Sequence, residues 1–396
     1  MADLNRLHIK LQSLSVFHSL LNDPLFHALS NVLDTSDKSQ AEQVSGYSAL
    51  AALLFMENGD LAESMLQRVL EDENAYVLKK AHKQEISREL EVCLKNELAI
   101  LEELSQIQSR DVRDCLGWDG PLPDWTNSPV QIDNAFGQRM ETIATEGYGI
   151  FRKTHMFHVE DGRIVPVSLP DPISLTELKG YERERNSVIQ NTLFLLKEKP
   201  AANVLLYGDA GTGKSSTVKA IANEYRHKGL RLIEINKKQF GEIPQLYKQL
   251  ADNHLKFILF IDDLSFDQNN DDFKALKAIL EGSASAKAPN IAVYATSNRR
   301  HLVKESFSDR NGDDIHVNET IQELTSLSER FGLQVHFYQP DRDLYLRIVR
   351  SLAKQLGQNA DNTDLDLEAE RYALMRGGRS PRVARQFIDF YLNTQE

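Results

Sequence analysis

Cysteine is scarce: Cys93 and Cys115 are the only two in 396 residues. No metal-ligand spacing joins them, so the chain reads as a reducing, cytoplasmic protein whose thiols are buried or incidental. Positive charge is in deficit, with 46 Lys and Arg against 58 Asp and Glu and a formal net charge of −12. That balance counts against a surface that coats nucleic acid, while leaving room for a local basic patch. Long apolar runs are missing too. None approaches the ~20 residues that span a bilayer. The amino-terminal MADLNRLHIKLQSLSVFHSLLNDPLF is amphipathic as a helix, but Gln12, Ser13, His18 and Asn22 interrupt the apolar core that a signal peptide needs. The expectation is a soluble protein with no membrane contact. There is no low-complexity tract, and 41% hydrophobic with 26% charged residues is ordinary for a globular chain of two or three domains.

Up to about residue 110 the pattern is helical. Residues 47–58 (YSALAALLFMEN) and 61–71 (LAESMLQRVLE) read as two helices joined through Asn58-Gly59-Asp60, a hairpin of the kind repeat proteins use, without a second copy. From about Ala75 a longer helix is expected. Ile86, Leu90, Leu94, Leu98, Leu101, Leu104 and Ile107 lie three or four residues apart on one apolar stripe, which packs inside a bundle or forms a seam for a partner. GWDGPLPDWTNSP (117–129) breaks the periodicity and reads as a connector anchored by its two tryptophans. MFHVEDGRIVPV (156–167) reads as a β-hairpin turning at Asp161-Gly162. Residues 1–165 are thus expected to form a mainly helical domain ending in this connector and hairpin.

An extended lead then enters a helix within 170–196. From there short apolar strands alternate with helices: VLLYG, LRLIEIN (230–236), FILFIDD (257–263), NIAVYATSN (290–298) and LQVHFYQ (333–339), with helices after Lys214, near 243–251 and near 271–282. This predicts an α/β core over 166–340 with a parallel sheet covered on both faces. After Pro340 only helical patterns remain, giving a helical lid over 341–396.

Gly208-Asp209-Ala210-Gly211-Thr212-Gly213-Lys214-Ser215, followed by Ser216, satisfies G-x-x-x-x-G-K-[ST] between a strand and a helix. Glycines let successive backbone N–H groups turn inward around phosphates, and the following helix presents its positive end to the same charge. Lys214 is expected to reach the β- and γ-phosphates and Ser215 to bind Mg²⁺. FILFIDD ends in Asp262 and Asp263, at the carboxyl end of a buried strand, where open α/β sheets bind ligands. Asp262 is expected to hold Mg²⁺ through its water shell, and Asp263 to orient or deprotonate the attacking water.

With both sites placed, residues 170–396 resemble the AAA+ ATPases. More narrowly, they resemble a bacterial family of predicted AAA+ ATPases known only as a domain of unknown function. VYATSNR looks like the sensor-1 strand, with Asn298 at the position that contacts the γ-phosphate and attacking water. SERFGLQVHF looks like the segment that carries the arginine finger, which maps to Arg330, with Arg310 as the alternative. GGRSPRVARQF is similar to the sensor-2 motif, Arg382 being the best match and Arg379 the second. LKGYERE, with Tyr181, resembles the segment that lies near the adenine. The chain departs from the family in carrying Asp263 where Asp-Glu is usual, which leaves the hydrolysis rate open. Phe240-Gly241 only partly matches the loop of members that thread polypeptides. The run Arg376, Arg379, Arg382 and Arg385 is either a solvated face or a patch for nucleic-acid phosphates.

The resemblance implies a Mg²⁺-dependent ATPase using ATP. A finger supplied by a neighbour requires a homo-oligomer, a ring or arc of six subunits by resemblance. It would remodel or load a macromolecular partner engaged by the amino-terminal helical domain. An ATP-dependent assembly switch with negligible turnover and a DNA-processing loader are the alternatives.

Overall fold

The computed structural model describes residues 3–36, 38–264, 276–277, 280, 288–298, 328–357 and 363–393, in two compact units, Met1–Gly149 and Ile150–Glu396. The first is helical: α1 (Leu4–Gln12), α2 (Pro24–Leu33), α3 (Gln40–Phe55), α4 (Leu61–Glu71), α5 (Ala75–Ala81), α6 (Arg88–Ser105), α7 (Ser109–Leu116), α8 (Ile132–Glu141) and the single turn α9 (Ile143–Glu146). Local sequence sets the boundaries. Ser39 and Glu42 form a capping box at the start of α3, and Asp60 caps α4 by accepting from the Glu63 amide at 2.9 Å. The long helix expected from Ala75 is two helices. Lys83 takes a left-handed φ of +55° between them, and Ser87 caps the second. A period read along the chain passes through such a break, because 82–87 keeps the apolar spacing while leaving the helix. Leu94, Leu98, Leu101, Leu104 and Ile107 are buried, so most of the stripe is core within this unit.

Of the two tryptophans, Trp125 is the one that anchors the connector. It is buried, donates from Nε1 to the Ile107 carbonyl at 3.1 Å and stacks obliquely on Tyr47 at 4.9 Å. Trp118 remains 47% exposed. A buried carboxylate, Glu97 (3% exposed), accepts from the main-chain amides of Ser15, Val16 and Phe17 at 2.8–3.1 Å, pinning the chain after α1 to α6. Glu97→Ala strands two buried donors, the Val16 and Phe17 amides, and frees that of Ser15, so this unit should lose about 2 kcal/mol or more. Both tryptophans lie in this unit, so the thermal transition followed by tryptophan fluorescence should fall by several degrees. An unchanged transition would remove Glu97 from the account.

In the second unit, the short α10 (Ile150–Lys153) leads into β1 (Met156–Glu160) and β2 (Arg163–Pro166). They are followed by α11 (Glu182–Leu196), β3 (Val204–Gly208), α12 (Lys214–Tyr225), β4 (Leu230–Glu234), α13 (Ile243–Leu250), β5 (Lys256–Ile261), β6 (Ile291–Ser297) and β7 (Leu333–Phe337). The lid is α14 (Arg342–Gln355), α15 (Thr363–Met375) and α16 (Pro381–Asn393). The sheet runs β2-β1-β4-β5-β6-β3-β7 and is parallel apart from the β1–β2 hairpin. β5 and β6 are buried along their whole length, as a parallel sheet covered on both faces requires. The architecture is the expected one.

The hairpin is the correction. Sequence assigns it to residues 1–165, yet β1 pairs with β4 and extends the sheet, with Phe157 opposite Ile233. Phe151 meets Phe157 and Phe257 edge-on at 5.2 and 5.4 Å, and burial of that aromatic cluster holds the hairpin to the core. Pro166 lies on the outer strand β2, where a missing N–H costs no ladder bond. Phe240 is 1% exposed, a core residue in the turn before α13. The lid shares the sheet's core: Tyr345, Val349 and Phe387 lie in one buried cluster with Leu206, Phe260 and Val218. The helix expected near 271–282 falls almost wholly outside the described residues. No helix among the described residues is long and apolar enough to cross a membrane.

Candidate nucleotide-binding site

Chain direction locates the site. From β3 the chain departs toward β4 on one side, while β7 arrives on the other, and ligands of open α/β sheets bind at such a switch point, beyond the strand carboxyl ends. A cavity of about 600 Å³ opens there, within the usual range for small-molecule sites.

The loop from Gly208 to Lys214 forms its floor. Gly208 has φ +131°, and a Cβ there would lie 2.0 Å from the Phe337 carbonyl oxygen, so only glycine lets β3 pass β7 into the turn. Gly213, at φ +91°, ends the loop with open space where its Cβ would project. Residues 210–217 line the cavity at the amino end of α12, whose dipole favours an anion. Asp209 turns the other way. Its Oδ2 accepts from the Gln339 amide at 2.8 Å, and its own amide donates to the Phe337 carbonyl at 3.1 Å.

Lys214 is only 6% exposed. Its Nζ donates to the Gly208 and Asp209 carbonyls at 2.9 and 2.7 Å and to Asn298 Oδ1 at 3.1 Å. Burial pushes the ammonium below the ordinary lysine range, opposed by the charges of Asp209, Asp263 and Asp262. Asn298 in turn donates from Nδ2 to Asp263 Oδ1 at 2.9 Å. The Asp263 amide donates to Thr296 Oγ1 at 2.9 Å, Thr296 Oγ1 donates to Asp262 Oδ1 at 2.5 Å, and Asp262 Oδ1 accepts from Ser215 Oγ at 2.6 Å. A cation, two acids, an amide and two hydroxyls thus form one connected circuit around the cavity. The cradle and buried lysine fit a polyphosphate, and the paired Ser215 and Asp262 oxygens are the hard donors Mg²⁺ takes.

The lid forms the roof. Arg382, Arg385 and Gln386 line the cavity beside Ile348 and Leu352, and the Arg382 amide donates to the Gly211 carbonyl at 3.2 Å. Arg379 faces elsewhere, in a two-pronged pair with Glu370 at 2.9 and 2.6 Å. Arg376 lies over the Tyr372 ring. The four arginines therefore do not share one face.

Tyr181 stands apart from the cavity lining. A left-handed φ of +56° turns its ring inward onto Phe337, its hydroxyl donates to the Tyr338 carbonyl at 2.6 Å, and burial pushes the phenol well up. Ile173, Leu178 and Lys179, just upstream, line the wall instead. Arg330 lies at the amino end of β7, away from its own chain's cavity lining. Arg310 lies outside the described residues. Sequence reading missed Thr296 and Gln386, and placed Arg385 only in the arginine run, not at this cavity. Thr296 stands two residues before Asn298, on the same side of an extended chain. Arg382, Arg385 and Gln386 share one helix face by their spacing.

The family described as a protein of unknown function, DUF815, matches residues 152–395. Among the curated proteins the chain is similar to are the following three. The ATPase family gene 2 protein of Saccharomyces cerevisiae is 26% identical over 64% of this chain and 33% of its own length. The 26S proteasome regulatory subunit 4 homolog of Schizosaccharomyces pombe is 41% identical over 17% of this chain and 16% of its own. Fidgetin-like protein 1 of Drosophila melanogaster is 23% identical over 59% of this chain and 45% of its own. The chain spans less than half the length of each.

Proposed function

The chain belongs to the DUF815 family, has the P-loop core and helical lid of AAA+ ATPases, and on that premise we propose that it is a Mg²⁺-dependent ATPase active as an oligomer. The observation that carries this reading is the single circuit from Lys214 through Asn298, Asp263, Thr296 and Asp262 to Ser215. Each member has a place in phosphoryl transfer. Loop amides and Lys214 bind the β- and γ-phosphates, and Ser215 with Asp262 holds the metal. Asp263, steadied by Asn298, orients the attacking water and takes its proton. When bound, Mg²⁺ neutralises the phosphate oxygens on which charge develops. Arg382 reads the γ-phosphate from the lid. Arg330 is supplied to a neighbouring subunit's site, in a ring or arc of six. The amino-terminal helical unit engages a macromolecular partner that the assembly remodels or loads. The acidic balance and the dispersed arginines favour a protein partner over DNA.

The short Asp263 carboxylate supports a second reading, an ATP-dependent assembly switch that barely turns over. Phosphate release measured against protein concentration separates the two. Specific activity should rise with concentration, and Asp263→Asn should bind ATP like wild type yet release phosphate about 100-fold more slowly. Tight ATP binding without turnover at any concentration would replace the ATPase with the switch.

A further inference from the structure

Asp263 is one methylene shorter than the usual acid at its position, and its surroundings make up the difference. Its φ of +52° is left-handed, a conformation that glycine, asparagine and aspartate adopt more readily than other residues. Thr296 braces it there, alongside Asp262 Oδ1, which the Asp263 amide also reaches at 3.1 Å. The Asp263 amide donates to Thr296 Oγ1 at 2.9 Å, and the next amide, Leu264, donates to the Thr296 carbonyl at 2.7 Å. The same hydroxyl gives its one hydrogen to Asp262 Oδ1 at 2.5 Å. A hydroxyl has one donor and can accept as well, and here both capacities act on the two acids. Thr296 is itself immobilised: it is buried and paired with Leu206 of β3, in the strand between β3 and β5.

We propose that Thr296 is a positioning residue for both carboxylates. It clamps the Asp262–Leu264 turn so that the short Asp263 side chain meets Asn298 Nδ2 at 2.9 Å. It also steadies the Asp262 oxygen that faces Ser215. The inference rests on the ATPase reading, since the acids it positions are those assigned there to metal and water. Valine in its place keeps the shape and strand preference but leaves the Asp263 amide and Asp262 Oδ1 each without this partner. Serine keeps the hydroxyl.

The test compares the full-length chain with Thr296→Val and Thr296→Ser. A fluorescent ATP analogue gives affinity with Mg²⁺ and with EDTA, and steady-state kinetics give kcat and KM separately. In EDTA the valine variant should bind within about threefold of wild type, because Lys214 and the loop are untouched. Its Mg²⁺-dependent gain in affinity and its kcat should each fall roughly 10- to 100-fold, the usual cost of losing a group that orients a metal ligand. KM for Mg²⁺-ATP should rise in step with the lost Mg²⁺ gain, and serine should restore most of both losses. A valine variant with wild-type kcat and Mg²⁺ gain overturns the proposal. So does a serine variant that fails as badly as valine with an equally lowered melting temperature, since that pattern belongs to packing. If wild type binds ATP without turnover, the Mg²⁺ gain alone decides. If wild type binds no nucleotide, the ATPase reading itself falls, and Thr296 falls with it.

Discussion

Lys214→Ala is expected to abolish ATP binding in any practical range, with affinity down at least ~100-fold and turnover down about 1,000-fold or more. The side chain is a buried cation lining the cavity and is held toward its floor by two loop carbonyls. A polyphosphate entering the loop would meet that charge with little water between, where a charge-assisted bond is strong. Burial disfavours the ammonium, and a bound anion would offset that cost. Lys214→Met, which fills similar space without charge, should therefore fail to bind while melting no lower than wild type in the absence of ligand. Thermal shift makes the contrast visible. Ligand at about 100 times its dissociation constant stabilises the folded state by about 2.7 kcal/mol. Mg²⁺-ATP should thus raise the wild-type midpoint by degrees and leave both variants where they were. An equal shift in Lys214→Ala would mean that the phosphates are not held where this loop places them.

Arg330→Ala should behave in the opposite way, keeping ATP affinity while turnover falls by about 10³ or more, the range for loss of an arginine finger. Geometry supports a role in trans. β7 runs parallel to β3, with Leu333 beside Val204 and Phe337 beside Gly208, so the length of β7, about 13 Å at strand rise, lies between Arg330 and the loop. The decisive measurement mixes two inactive chains. Arg330→Ala retains a binding site and lacks a finger; Lys214→Ala retains a finger and lacks a site. In a head-to-tail assembly an equal mixture should recover about a quarter of wild-type activity, because one interface in four then pairs an intact site with an intact finger. No recovery, with both chains folded and co-assembling, would remove Arg330 from the trans role. Full activity in Arg330→Ala alone would pass the finger to Arg310.

Much of the site was legible because phosphate chemistry constrains contiguous residues. The loop from Gly208 to Ser215 announces itself, and the strands beside it are short apolar runs whose lengths match those observed to within one or two residues at either end. What escaped depended on distant neighbours. The Asp161-Gly162 hairpin reads clearly from its turn, with φ of +48° and +74°, but no local signal says that β1 also pairs with β4. Resemblance put Tyr181 near an adenine, whereas its left-handed backbone swings the ring onto Phe337. Thr296 passes for a strand threonine until the turn after β5 is brought beside it. The every-third-residue arginine spacing from 376 to 385 suggested a shared face, but Arg376 and Arg379 lie before α16, and Glu370 of α15 pairs with Arg379.

The loop that curls under the cavity is bonded at both ends of the lid's path. Asp209 Oδ2 holds the Gln339 amide just before α14, and the Gly211 carbonyl holds the Arg382 amide at the start of α16. Loop and lid are therefore directly joined at these two points. Linkage makes the traffic symmetrical. Whatever a loop-bound anion does to the lid's preferred angle, a partner that grips the lid at that angle does to the anion's affinity, by the same factor.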